Sequence, residues 1–140
     1  MIVLQGAAIV ICCILKVQAI TVDDYPEDAR QIMQQLHDAC IAKSGVTQEM
    51  FALGAKKEFP EDQALKCYMH CIMDEVAVID EDTGLIDTEA YVAVIPDFVK
   101  GRWRPVIEHC GTQPGTDRCD VAFNTFKCYY EQDPDLYALF

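Results

Sequence analysis

Two cysteines, Cys67 and Cys71, stand four residues apart in the stretch LKCYMHCIMDEV, Leu65 to Val76. On a helix that spacing puts both sulfurs on one face, one turn apart. Three chemistries fit: a metal site, a redox pair, or two cross-links that leave one helix for different parts of the chain. A structural zinc site needs a second close cysteine pair or a histidine pair elsewhere. His70 lies between the two cysteines and His109 precedes Cys110, but no second close pair follows. A redox dithiol wants Cys-x-x-Cys at a strand-to-helix turn, and the chain has none. Cross-links remain, and neither a metal nor another cofactor is expected.

Two further stretches could do chemistry. LHDAC, Leu36 to Cys40, resembles the His-Asp-x-Cys centre of secreted phospholipases A2. That family also needs adjacent cysteines upstream and a glycine-rich calcium loop, and residues 20–35 hold neither cysteine nor glycine. His37 and Asp38 therefore read as an exposed helix edge, and the chain as no enzyme. DEDTGLIDTEAY, Asp80 to Tyr91, begins like a calcium loop. An EF-hand wants glycine at its sixth position and glutamate at its twelfth; here Leu85 and Tyr91 stand there, so the stretch reads as a turn.

The compartment follows from the first residues. Met1 to Leu15 are almost all apolar, and Val17-Gln18-Ala19 offers small residues for a signal peptidase. This pattern predicts a secretory leader over 1–19 and a single domain over 20–140. The apolar run is shorter than the roughly 20 residues a bilayer span needs. Removing it takes Cys12, Cys13 and Lys16, so six of the eight cysteines remain and the formal net charge goes from −12 to −13. Six cysteines in an exported chain read as three disulfides. The acidity argues against nucleic acid and anionic membranes as partners.

The elements that carry these cysteines read as helices throughout. Tyr25 to Lys43 spaces Ile32, Leu36, Ala39 and Cys40 along one side and stops at Ser44-Gly45. Thr47 caps a short helix, Gln48 to Leu53, which Gly54 stops. Phe59-Pro60-Glu61-Asp62 opens a helix whose inner stripe is Leu65, Met69, Ile72, Met73 and Val76. Asp80 to Asp87 is a turn. Thr88 caps a helix with Tyr91, Val94 and Ile95, closed by Pro96. Asp97 caps the next, with Phe98, Val99, Trp103, Val106, Ile107 and Cys110 on one side and a kink expected at Pro105. Asp117 caps the last, with Cys119, Ala122, Phe123, Phe126 and Tyr130 inward.

Cys67 and Cys71 cannot bond to each other without distorting their helix, and Cys119 and Cys128 lie on opposite sides of theirs. Six cysteines allow 15 pairings, and ten of them respect both limits. All ten make the helix of Cys67 and Cys71 the hub of the fold.

The cysteine gaps also carry a resemblance. Between Cys40, Cys67, Cys71, Cys110, Cys119 and Cys128 lie 26, three, 38, eight and eight residues. Together with KCYMHC at Lys66–Cys71, CDVAFNTFKC at Cys119–Cys128 and the ending DPDLYALF, this resembles the six-cysteine insect odorant-binding proteins, which include pheromone-binding and general odorant-binding proteins. The resemblance covers the whole mature chain. It implies a compact all-α domain of six helices, stapled by Cys40–Cys71, Cys67–Cys119 and Cys110–Cys128 around an internal hydrophobic cavity. It implies a secreted carrier of small hydrophobic odorants or pheromones (long-chain alcohols, esters or aldehydes) in sensillum lymph, with an olfactory receptor or a homodimer partner as further expectations. General lipid carriage outside olfaction is the alternative, and a secreted module acting by its surface a third.

By position in that pattern, the ligand-binding residues are Tyr91, Ile95, Val99, Trp103 and Val106, then Phe123, Phe126 and Tyr129. Tyr137, Leu139 and Phe140 join them on a tail, residues 129–140, that folds over the cavity. Acidic groups on that tail (Glu131, Asp133, Asp135) could accept hydrogen bonds from Arg30 or Tyr68. Their protonation, or charging of His70 or His109, would loosen the tail and release ligand. Met33, Met50, Met69 and Met73 are adaptable fillers for guests of varied shape. A dry cavity of about 300 Å³ would cost roughly 7 kcal/mol, which three disulfides at roughly 2–4 kcal/mol each can offset.

Overall fold

The computed structural model describes residues 20–135; the expected leader, 1–19, lies outside them. Six α-helices follow a 3-10 turn at Val22–Asp24: α1 Glu27–Ser44, α2 Gln48–Ala55, α3 Gln63–Glu75, α4 Thr88–Val94, α5 Asp97–Cys110 and α6 Arg118–Gln132. Among the described residues the only β pairing is an isolated bridge, Ile79 with Ile86, closing the turn between α3 and α4. The all-helical class read from the sequence is the one observed.

Local chemistry sets most helix ends. Thr47, Asp62, Asp87 and Asp117 each accept a hydrogen bond from the amide three residues on, pairing a donor the helix start would leave open. Gly45 closes α1 in the left-handed region, φ 69°. Three boundaries differ from the sequence reading. Asp87, not Thr88, caps α4: its carboxylate accepts from the Ala90 amide, and Thr88 is already the first helical residue. Pro96, not Asp97, precedes α5, and proline's fixed φ suits a helix start. Gly54 does not stop α2; it is buried in its last turn, and the chain turns at Lys57, φ 67°. Pro105 lies within α5, which continues to Cys110.

Helix α3 lies between α1 and α6 and forms the hub expected of it. Cys71 is bonded to Cys40 of α1 and Cys67 to Cys119 of α6, while Cys110 of α5 is bonded to Cys128 of α6. Leu65, Tyr68, Met69 and Met73 on α3 are fully buried, with Ile107 of α5 and Phe123 of α6. Three residues assigned to inner stripes are instead exposed: Ile32 (57%), Val94 (53%) and Phe98 (55%). Phe98 lies edge-on to Tyr25 at 5.4 Å between ring centres. Ile32 and Val94 border the site described next.

Candidate functional site

A cavity of about 210 Å³ opens between the N-terminal helix and the α4–α5 corner. Helix α1 contributes Ala29, Ile32, Met33 and Leu36, which follow the one-face spacing of a helix. Tyr25 stands before it. Ile72 and Val76 come from the end of α3, Tyr91 and Val94 from α4, Ile95 and Pro96 from the corner, Trp103 from α5 and Phe126 from α6. Ile32 and Val94, each more than half exposed, mark the mouth. Among the described residues no Asp, Glu, Lys, Arg or His lines the cavity.

The polar groups on this lining are aromatic. Burial pushes the Tyr91 phenol far above its ordinary pKa of 10, with Tyr25 adding to the effect. Tyr25 is raised by burial and then by the Asp24 carboxylate. Both hydroxyls therefore stay neutral at any physiological pH. Behind the lining, Tyr129 closes an aromatic cluster, its ring 5.8 Å from Tyr91, 6.1 Å from Trp103 and 5.9 Å from Phe126. An apolar, aromatic-lined space can disfavour ions and hold a compact apolar molecule. Among the described residues no group of three or more metal-ligating side chains comes together, and no helix is long and apolar enough to cross a membrane.

Of the residues expected to bind ligand, Tyr91, Ile95, Trp103 and Phe126 line the cavity. Val99, Val106, Phe123 and Tyr129 are buried but do not line it. Val99 and Val106 fill the core along α5. Phe123 packs edge-on to Phe59 at 5.8 Å, with the Lys66 and Lys127 ammonium groups 5.0 and 5.3 Å from its ring centre. Tyr137, Leu139 and Phe140 lie outside the described residues. On the α1 side of the cavity the sequence reading named only Met33, as an adaptable filler. The stripe it read on this helix, Ile32, Leu36, Ala39 and Cys40, looks the same whether it meets core or empty space. Of the methionines, Met33 lines the cavity, Met69 and Met73 are fully buried core, and Met50 is half-buried on α2.

The charged groups near the tail also pair differently from expectation. Asp133 is held by Arg102 of α5, not Arg30, whose neighbour is Asp23 at 3.9 Å. The Tyr68 hydroxyl meets His37 Nδ1 at 3.0 Å. His37 is thus not an exposed edge: it is half-buried, edge-on to Phe51 at 4.7 Å. Arg104 ties α5 to Glu89 of α4 and to Glu108.

Residues 22–132 match the model of the PBP/GOBP family. The chain belongs to the PBP/GOBP family. General odorant-binding protein 69a of Drosophila melanogaster is 30% identical over 98 residues, 69% of this chain and 66% of that relative. Among solved structures, odorant-binding protein 7 of Anopheles gambiae, with four disulfide bridges and in complex with an azo compound, superposes with a TM-score of 0.71 at 33% identity. That likeness covers 79% of this chain and 89% of the mosquito protein. The medfly odorant-binding protein CcapOBP22/CcapOBP69a gives a TM-score of 0.65 at 31% identity over 73% of this chain and 88% of its own. Three bridges are formed among the described residues here.

Proposed function

We propose that this PBP/GOBP chain carries a small, neutral, mostly hydrocarbon molecule in the cavity between α1, α4 and α5. The observation that carries the reading is a space that, among the described residues, is lined by uncharged apolar and aromatic side chains, with Ile32 and Val94 at its mouth. An empty apolar cavity of about 150 Å³ can take benzene, so 210 Å³ suits a guest of about eight carbons by proportion. Burying eight methylenes contributes about 6 kcal/mol, short of the 8.2 kcal/mol of micromolar binding. Longer guests would add contact with Ile32 and Val94 at the mouth, with Met33 adjusting its shape.

The finer reading is a secreted carrier of odorants or pheromones in sensillum lymph, made with a leader cut after Ala19. The Ile20 nitrogen donates to the Asp135 carbonyl at 3.0 Å, and after such a cut it would be an ammonium, still a donor. Lys57 Nζ donates to the Pro134 carbonyl. These bonds bring the end of the described tail beside the Val22–Asp24 turn and Tyr25, a short reach from the mouth. On this reading Tyr137, Leu139 and Phe140 cover the mouth, and protonating Asp133 in acid frees them. Val99, Val106, Phe123 and Tyr129 act from the layer behind.

Displacement of a fluorescent apolar probe by a chain-length series of alcohols, ketones and esters tests the proposal. Saturable one-to-one competition that improves with chain length supports it. A protein acting by its surface would give no saturable displacement, and the reading would fall. Truncation before Tyr137 should weaken binding and flatten its pH dependence; an unchanged pH profile would remove the tail from the account.

A further inference from the structure

Trp103 is the only tryptophan of the chain, is 7% exposed and lines the cavity. Its indole Nε1 is buried with no hydrogen-bond partner among the described residues. Among the described residues one other buried side-chain atom shares that condition, the hydroxyl of Tyr129, a residue only 1% exposed. The two rings pack edge-on, 6.1 Å apart at 79°. Buried polar groups are almost always paired, and one left open costs more than a made bond contributes. That both open groups sit in one aromatic cluster, beside an uncharged cavity, points to something that pairs them when the cavity is filled.

The chemistry of that something follows from what the two groups can do. An indole N–H donates and cannot accept; a phenol hydroxyl can turn to donate. Burial, with Tyr91 nearby, raises the Tyr129 phenol far above its ordinary value, so its proton is always in place. We propose that Trp103 determines specificity in the carrier described above, donating its indole N–H to a carbonyl oxygen of the guest, with the Tyr129 hydroxyl, which lies behind the lining, as second donor once the rings between them shift. A carbonyl oxygen has two lone pairs, one for each. The ligand class is then medium-chain ketones, aldehydes and esters. Nε1 is closed off from water, which strengthens a bond made there. Reaching it takes a shift of the surrounding rings, among them Tyr91, 6.4 Å from Trp103 and itself on the lining.

The inference rests on the carrier reading, and its test separates the two. Purified mature protein, labelled with ¹⁵N, gives a single indole N–H resonance. It is titrated with hexyl methyl ketone and with nonane, which have equal numbers of heavy atoms. The ketone should move the indole proton downfield, and nonane should leave it near its starting position. Trp103→Phe removes apolar contact for both guests, so the N–H bond is read from the difference: the ketone should lose about tenfold more than nonane, and Tyr129→Phe should give a smaller difference of the same sign. Equal losses for the two guests, or an indole shift the same for both, would overturn the proposal while leaving the carrier intact. Should Trp103→Phe fail to fold by circular dichroism, the wild-type indole shift decides alone. Binding of neither guest would sink the carrier reading and this inference with it.

Discussion

Arg102 grips Asp133 through two hydrogen bonds, Nε to Oδ2 at 2.7 Å and Nη2 to Oδ1 at 2.6 Å. Both side chains are about a quarter exposed. A forked pair of this kind fixes direction as well as distance, and it ties α5, which carries Trp103, to the chain just beyond α6. Asp133→Asn should cost about 1 kcal/mol, reduced from a fully buried pair by the remaining exposure. The larger effect should be local: hydrogen exchange at the amides of residues 131–133 and of Asp135 should quicken. Chemical denaturation and exchange mass spectrometry read the two effects; a purely global change would deny the clasp.

The Lys66–Asp120 ion pair, 2.9 Å, lies one residue from the Cys67–Cys119 bridge on each helix. That bridge spans 52 residues, against 31 for Cys40–Cys71 and 18 for Cys110–Cys128. In the chain-entropy account the longest loop contributes about 4 kcal/mol and the shortest about 3. Replacing both Cys67 and Cys119 with alanine should therefore lower stability in urea more than replacing Cys110 and Cys128. The reverse order would mean that the α3–α6 packing, rather than the loop, sets the cost.

The hub on α3 was legible because two cysteines one turn apart must leave in different directions. Helix positions were legible from 3.6-residue stripes and carboxylate caps, with errors of one residue where Asp87 and Thr88 competed. Exposure at Ile32 and Val94 was not, because an apolar side chain facing a cavity mouth has the same spacing as one facing core; nor was that of Phe98, which lies against Tyr25 on the surface. Nor could the sequence tell that Phe123 packs against Phe59 while Phe126, one turn on, meets the cavity: both lie on the inner side of α6. The partner of Asp133 was out of reach because Arg102 stands 31 residues earlier, and no local pattern links them.

Stability should fall steeply above about pH 10. Tyr68, Tyr91 and Tyr129 are all raised by burial, Tyr25 more mildly. The folded state keeps these protons while the unfolded chain releases them near 10, so rising pH favours unfolding. In acid the sign reverses. Asp120 is held below its ordinary value by the Thr116 amide and then by Lys66, and what it contributes is lost as pH falls through and below about 4. Melting temperatures across pH 2–12 should trace both flanks. A flat profile from pH 9 to 12 would contradict the buried, neutral tyrosines.

An enlarged residue on the α1 lining separates cavity from shell. Ala29 is half-buried and borders the cavity, so Ala29→Phe should fill space rather than break packing. The melting temperature should hold or rise, since the added ring buries apolar surface in the space, while ligand affinity drops at least tenfold. A large loss of stability with affinity intact would mean the space is closed in solution.

The most direct test of the account is a titration of purified mature protein with a straight-chain ketone, followed by the emission of Trp103. The account predicts a saturable, one-to-one response that Ala29→Phe weakens at least tenfold without changing the far-ultraviolet circular dichroism. A response that never saturates, or one that Ala29→Phe leaves untouched, would contradict it.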